Sequence, residues 1–380
     1  MRIHAIQTGT VKIKTAQVEG RGHGFQRQLA IYTDRNWTDW LPTYAWAIEH
    51  PEGVIVVDTG QAVHLLETSR SYHPFLRWEV VFRIEKEEEI GPQLHALGIG
   101  NRDVKKVVLT HLHMDHDGGL AHFPNSEILV SSDELRTASG WAGRIRGYLP
   151  NRWPSWFDPA PLDLTAEPFG PFAHSRRLTQ AGDVIAIATP GHTANHISIL
   201  VQEDDTTFVL AGDTSYNEAL MLGGYVDGVS SNERVSKATL DTINIFARSR
   251  PTVYLPTHDP QSGNRLINRR IVGQRTLPGK QRDIQGNLDS SWLNLRPRML
   301  GIAAIRRRYR SRFSTGKIKK EPLLAKCLRG QVPERFDGYP SRGRKRRTAN
   351  SGSLLNKLQH LSEILVVKRN HHTQKAHGDE

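Results

Sequence analysis

The first 271 residues predict an α/β fold, and the remainder reads as a basic extension. Three observations carry this reading. Short apolar runs alternate with amphipathic stretches from Ile3 to Leu255, charge divides sharply after Arg270, and a histidine cluster follows directly on an apolar strand. Residues 1–271 hold 26 Lys and Arg against 31 Asp and Glu, a net charge of −5. Residues 272–380 hold 25 against 8, a net of +17, so the overall charge of +12 belongs to the tail.

Taken in order, Ile3–Thr8 and Val11–Ala16 read as β segments. Tyr44–Glu49 alternates, His50-Pro51-Glu52-Gly53 turns, and Val54–Val57 is a continuous apolar run with a polar tip at Asp58. A helix is expected over Glu85–Leu97, stopped near Gly98. Val104–Thr110 and Ile128–Ser131 read as strands, with Asp133 as the N-cap of a short helix. Val184–Thr189, Ile197–Gln202 and Thr207–Ala211 are three more strands, Ser236–Ser249 is an amphipathic helix, and Val253–Leu255 is a last strand. Trp141–Phe172, rich in Trp, Pro and Gly, lacks periodicity and is expected to be a functional loop.

Composition excludes several classes. No run approaches the roughly 20 apolar residues of a membrane-spanning helix, so no membrane insertion is expected. The start, MRIHAIQTGT, has no long apolar segment of the secretory kind, and a cytoplasmic location is expected. The single cysteine, Cys327, leaves no intramolecular disulfide and no thiolate zinc cage. Gly-x-Ser-x-Gly is absent, so no serine nucleophile of that kind is expected.

Chemistry concentrates in Thr110-His111-Leu112-His113-Met114-Asp115-His116. Imidazoles and a carboxylate are the ligand types that suit zinc and its first-row neighbours. In a loop leaving a strand, His111 and His113 can point one way while Asp115 and His116 turn toward a second position. The bland alternative is a solvated histidine-rich loop. Further ligands are expected where other strands end: His192 after Val184–Thr189, Asp213 after Phe208–Leu210, and His258 after Val253–Leu255. Seven ligands make two metal sites, one of which can share a carboxylate.

HLHMDH, the PGH of 190–192, the GD of 212–213 and the TH of 257–258 resemble the metallo-β-lactamase superfamily in order and spacing. The resemblance covers about residues 1–271, including Val54–Gly60. It implies a four-layer αβ/βα sandwich with two divalent metal ions, zinc by default, at one rim of two sheets. It further implies His111, His113 and His192 on one metal, Asp115, His116 and His258 on the other, and Asp213 between them. Asp58 is implied as an acceptor that orients a ligand histidine.

Asp213-Thr214-Ser215-Tyr216 is similar to the pattern of N-acyl-homoserine lactonases, which implies that Tyr216 reaches the substrate carbonyl. Gly147-Tyr148-Leu149-Pro150, with Trp153 and Trp156, looks like the lid of that group. Tyr148, Leu149, Trp153, Trp156 and Phe157 are therefore expected to line an acyl-chain groove. Asp117 departs from the pattern, where a small or apolar residue is usual, and is expected to add negative charge. The implied reaction is attack on a lactone by a metal-bridging hydroxide. Tyr216 steadies the oxyanion, and Asp115 shares the proton with the leaving alkoxide. A glyoxalase-II-like thioesterase is the alternative on the same metals, with β-lactam hydrolysis behind it.

The tail carries Arg306-Arg307-Arg308-Tyr309-Arg310 and Arg342-Gly343-Arg344-Lys345-Arg346-Arg347, and Leu354, Leu358, Leu361 and Leu365 at helical spacing. Three readings stay open: nonspecific polyanion contact, as in a nucleic-acid-binding metallo-hydrolase; a disordered extension; or an altered reading frame. Removing it after about residue 271 is expected to leave lactone turnover largely intact.

Overall fold

The computed structural model describes residues 1–274, apart from 68–73, 141–142, 144–145 and 231. Its strands are β1 (Arg2–Ile13), β2 (Leu41–Glu49), β3 (Val54–Val57), β4 (Val80–Arg83), β5 (Val104–Val108) and β6 (Glu127–Val130), followed by β7 (Ala160–Pro161), β8 (Ser175–Arg177), β9 (Val184–Ala188), β10 (Ile197–Glu203), β11 (Thr206–Gly212) and β12 (Thr252–Pro256). They form a seven-stranded sheet, β4-β1-β2-β3-β5-β6-β7, and a five-stranded sheet, β12-β11-β10-β9-β8.

The alternation of side chains assigns the layers. On β2, Ala45 and Ala47 join Ile6, Val56 and Val107 beneath Ile90 and Leu94 of the helix Ile90–Ala96. Trp46 and Ile48 point the other way, with Ile55, Val57 and Val108, onto Val184, Ile199, Phe208, Leu210, Val253 and Leu255 of the smaller sheet. The outer face of that sheet places Ile187, Val209 and Tyr254 against Leu240, Ile243 and Phe246 of the helix Glu233–Ser249. The result is helix, sheet, sheet, helix, the expected four-layer αβ/βα sandwich. Strands covered on both faces read as continuous apolar runs, as β3 does.

Strand direction brings the ends together. β3 and β5 are parallel, β11 and β12 are parallel, and β9 runs with β11 because both are antiparallel to β10. The segments leaving β5, β9, β11 and β12 carry the candidate ligands. Ile197 N donates to Thr110 O at 3.0 Å and Tyr44 N to Thr257 O at 3.1 Å, which joins the two sheets at this rim.

Several expectations change. β1 is continuous through Ile13, bent where its register shifts between Gln7 and Thr10. Gly9 makes the bend at φ +73°, and a Cβ there would lie 2.4 Å from Arg83 O. Thr15–Val18 is a helical turn, not strand. The helix over Glu85–Leu97 is confined to Ile90–Ala96 after a separate turn at Lys86–Glu88. Pro92 requires this, since it is tolerated in a first turn but not mid-helix. The helix near Asp133 begins at Ser132, with Ser131 at the N-cap and Asp133 in its first turn. Helices Phe25–Thr33 and Pro74–Glu79, and β4 after them, had no counterpart in the sequence reading. Val272 N donates to Thr252 O at 2.8 Å, so the packed chain runs past 271. The arginine runs and the leucine stripe of the tail lie outside the described residues. Among the described residues, no helix is long and apolar enough to cross a membrane.

Candidate metal centre

His111 Nε2 lies 3.1 Å from His113 Nδ1, which lies 3.0 Å from His192 Nε2. Zinc–nitrogen bonds of about 2.0–2.1 Å in a tetrahedron put ligand nitrogens about 3.3 Å apart, so this spacing suits one cation. A second group is Asp115, His116 and His258, with His258 Nε2 3.4 Å from Asp115 Oδ2. The Asp213 carboxylate touches both groups. Its Oδ1 is 3.4 Å from His116 Nε2, and its Oδ2 is 3.3 Å from His258 Nε2 and 3.6 Å from His192 Nε2. His116 Nε2 and Asp213 Oδ1 are buried without a hydrogen-bond partner. Orphaned polar atoms of that kind are costly in an interior, and divalent cations would satisfy both. The donor set of imidazole and carboxylate fits zinc.

The outer edges of the rings are held as well, which fixes their tautomers. His116 Nδ1 donates to Asp58 Oδ2 at 2.9 Å, and Asp58 also accepts from Thr110 N at 2.8 Å. Asp58 takes φ +57°, a conformation aspartate tolerates better than most residues. His258 Nδ1 donates to Pro42 O at 2.9 Å, His113 donates to the Arg146 carbonyl, and His111 Nδ1 is 3.1 Å from Thr110 Oγ1. His192 Nδ1 faces Asp227 Oδ2 at 3.5 Å, and Asp227 is fixed by Ser230 N at 2.6 Å. Burial and the surrounding imidazoles push His111 and His113 well down, leaving the neutral rings that metals bind. Burial also opposes the charged form of His116, but Asp213 and Asp58 outweigh it and hold that ring well above its ordinary value. Burial is likewise outweighed at Asp213, where His258 and His116 hold the carboxyl well down.

The sequence profile of the metallo-beta-lactamase superfamily matches residues 38–258. This chain belongs to that superfamily. It is 26% identical over 277 residues to the N-acyl homoserine lactonase AttM of Rhizobium radiobacter, covering 69% of this chain and 94% of that one. It is 29% identical over 185 residues to the probable metallo-hydrolase Rv2300c of Mycobacterium tuberculosis, covering 47% and 58%. In fold it matches a solved N-acyl homoserine lactone hydrolase that carries N-hexanoyl-L-homoserine at its metal centre. That match has a TM-score of 0.57 at 18% identity, over 69% of this chain and 94% of the other.

Three residues of this superfamily member's site escaped the sequence reading. His196 Nε2 accepts from Asp213 N at 3.1 Å while its Nδ1 pairs with Thr189 Oγ1 at 2.9 Å. Burial, then His192, drive its pKa to about 3, so it stays a neutral acceptor holding the Asp213 backbone. Gly212, at φ +55°, is required beside it, because a Cβ would lie 2.5 Å from His196 Nε2. Asp227 is the second, and Glu134 the third. The buried Glu134 accepts from Tyr148 Oη at 2.9 Å and Thr193 Oγ1 at 3.0 Å, tying the Tyr148 segment to the loop of His192. Their sequence signal was slight: a second histidine four residues after His192, and two carboxylates outside any motif.

A cavity of about 460 Å³ opens onto His113, Asp115, His192, Asp213 and His258. Tyr216 lines it and stacks on His258, with ring centroids 5.5 Å apart. Burial, reinforced by Asp213, Asp227 and Asp115, pushes the Tyr216 hydroxyl well above its ordinary value, so it keeps its proton.

The lid residues divide. Tyr148 lines the cavity. Leu149 packs with Met114, Leu76 and Phe82 instead, Trp153 and Phe157 pack against the core, and Trp156 is exposed. A buried indole N–H needs an acceptor, and Trp153 Nε1 finds Asp117 Oδ2 at 2.6 Å. The rest of the cavity wall beside Tyr148 comes from β1, the helices Phe25–Thr33 and Pro74–Glu79, and β4. Asp117 is buried, and burial pushes its pKa up to about 8 despite the Trp153 bond.

Proposed function

We propose that this hydrolase opens the lactone ring of N-acyl-homoserine lactones, the quorum-quenching reaction. His111, His113 and His192 would hold one divalent ion, Asp115, His116 and His258 a second, with Asp213 between them. Zinc is the simplest ion for these ligands. Bound there, two such ions lower the pKa of water and polarise an ester carbonyl.

The chain's own residues supply the rest. The observation that carries the reading is Tyr216, a protonated hydroxyl held against His258 beside Asp213 in the cavity wall. Its hydroxyl would donate to the oxyanion that develops when a ring ester is attacked. Asp115 is the least buried carboxylate of the cluster and faces the cavity, where it can pass a proton to the leaving alkoxide. Asp58 holds His116 in orientation, and Asp227 faces His192. The similarity to lactonases over most of their length supports the substrate class.

The test is a pH-drop assay across N-acyl-homoserine lactones, thioesters and phosphodiesters. Lactones should be opened, and His113→Ala should lose both turnover and bound metal. Turnover of thioesters without any lactone would replace this reading with the thioesterase.

A further inference from the structure

The cavity changes character along β1. Thr10 pairs with Pro42, whose carbonyl accepts from His258, so this point of the strand adjoins the metal centre. Val11 pairs with Phe82 and Ile13 with Val80, and Tyr216 packs against this apolar stretch. From Thr10 to Ile13 the strand advances about 10 Å. The wall then turns polar, for Gln17, Gln28, Tyr32 and Glu79 line the same cavity.

The hydrogen bonds of that polar end leave one kind of group open. Tyr32 and Lys14 act on the Glu79 carboxyl, each favouring its charged form. Gln17 Nε2 donates to the Glu79 carbonyl at 3.2 Å, and Gln28 Nε2 to Gly228 O at 3.5 Å. A Glu79 carboxylate oxygen and the amide oxygens of Gln17 and Gln28 receive no donor from the described residues. An open carboxylate is the strongest acceptor of the three, and a half-buried one gains most from a ligand that donates to it. A cationic donor is disfavoured by Lys14, a buried ammonium that already acts on Glu79 and sits 3.8 Å from the Trp37 ring centroid. A neutral hydroxyl has no such conflict.

We propose that this end of the cavity takes a hydroxyl group on the distal part of the lactone's acyl chain, the hydroxyl donating to Glu79. The proposal rests on the lactonase reading and narrows it to hydroxylated acyl chains, with Val11, Ile13, Val80 and Phe82 covering the methylenes between.

The test compares kcat/KM for matched N-acyl-homoserine lactones of increasing chain length, plain or with a terminal hydroxyl. At the length that reaches Glu79, the hydroxylated chain should be preferred about tenfold, the worth of one good hydrogen bond. Glu79→Leu should reverse the preference. If that variant does not fold, the isosteric Glu79→Gln should bring the ratio toward one. Equal or better use of plain chains at every length would overturn the proposal while leaving the lactonase reading standing. So would a Glu79 variant that lowers both substrates equally. Failure to open either series would overturn both together. Preference for a terminal amine over the hydroxyl would also count against it, since Lys14 should exclude a second cation.

Discussion

At the candidate metal rim, five imidazoles converge from strand ends; four have a partner behind them, Thr110, the Arg146 carbonyl, Asp58 or the Pro42 carbonyl, and the fifth, His192, faces Asp227 at 3.5 Å. The wall formed by residues 11–32 and 76–82 instead rests on short helices and an edge strand, with polar groups only partly paired. The rim is set by the sheets, whose strand ends deliver the five rings. The wall follows from how two helices dock, and Arg27 shows the coupling: it donates to the carbonyls of Val226 and Asp227, linking the helix Phe25–Thr33 to the segment that orients His192.

The largest expected effect lies where the two regions meet. Tyr216→Phe removes one hydroxyl and should lower kcat about a hundredfold, with metal content unchanged. Loss of metal in that variant would mean the tyrosine belongs to the rim's framework rather than to the reaction. Next, Asp227→Ala should weaken metal binding about 10–100-fold, because His192 Nδ1 loses the carboxylate it faces. Competition with a chelator measures this directly, and unchanged affinity would show that the 3.5 Å contact does not orient the ring.

A smaller effect belongs to the wall. Burial raises the Glu79 carboxyl from 4.5 to about 7, only partly offset by Tyr32 and Lys14. A carboxyl that binds its proton more tightly when folded favours the fold at low pH, and that advantage is lost as pH rises from 4.5 toward 7. Relative to the wild type, Glu79→Gln should therefore gain about 1–2 kcal/mol of stability between pH 4.5 and pH 8 in denaturant titrations. A constant difference across that range would remove the carboxyl from this wall's stability. The smallest effect is expected from truncation after Gln274, which keeps the Val272 bond to Thr252 and should leave lactone turnover within about twofold.

The same contrast explains what could be read in advance. The candidate ligands are legible because they follow apolar runs, and parallel strands deliver such ends to one edge. The four layers followed from a resemblance that the packing of Trp46 and Val209 on opposite sides of the smaller sheet bears out. The wall was not legible. In FQRQLAIYT the buried positions are Arg27 and Ile31, which leave no apolar stripe for periodicity to find. The resemblance to a lactonase lid implies Trp153 as pocket lining. Its N–H requirement and the unusual Asp117 were both in the sequence, but only the fold pairs them. His196 shows a different limit: residue type cannot separate a ligand imidazole from one that holds a ligand's backbone.

The most direct measurement is a zinc titration of metal-depleted protein, following N-acyl-homoserine lactone opening and bound metal in the same samples. Turnover should be absent at the start, rise with added zinc, and saturate when close to two ions are bound per chain. Full lactone turnover in the metal-free protein would contradict the account.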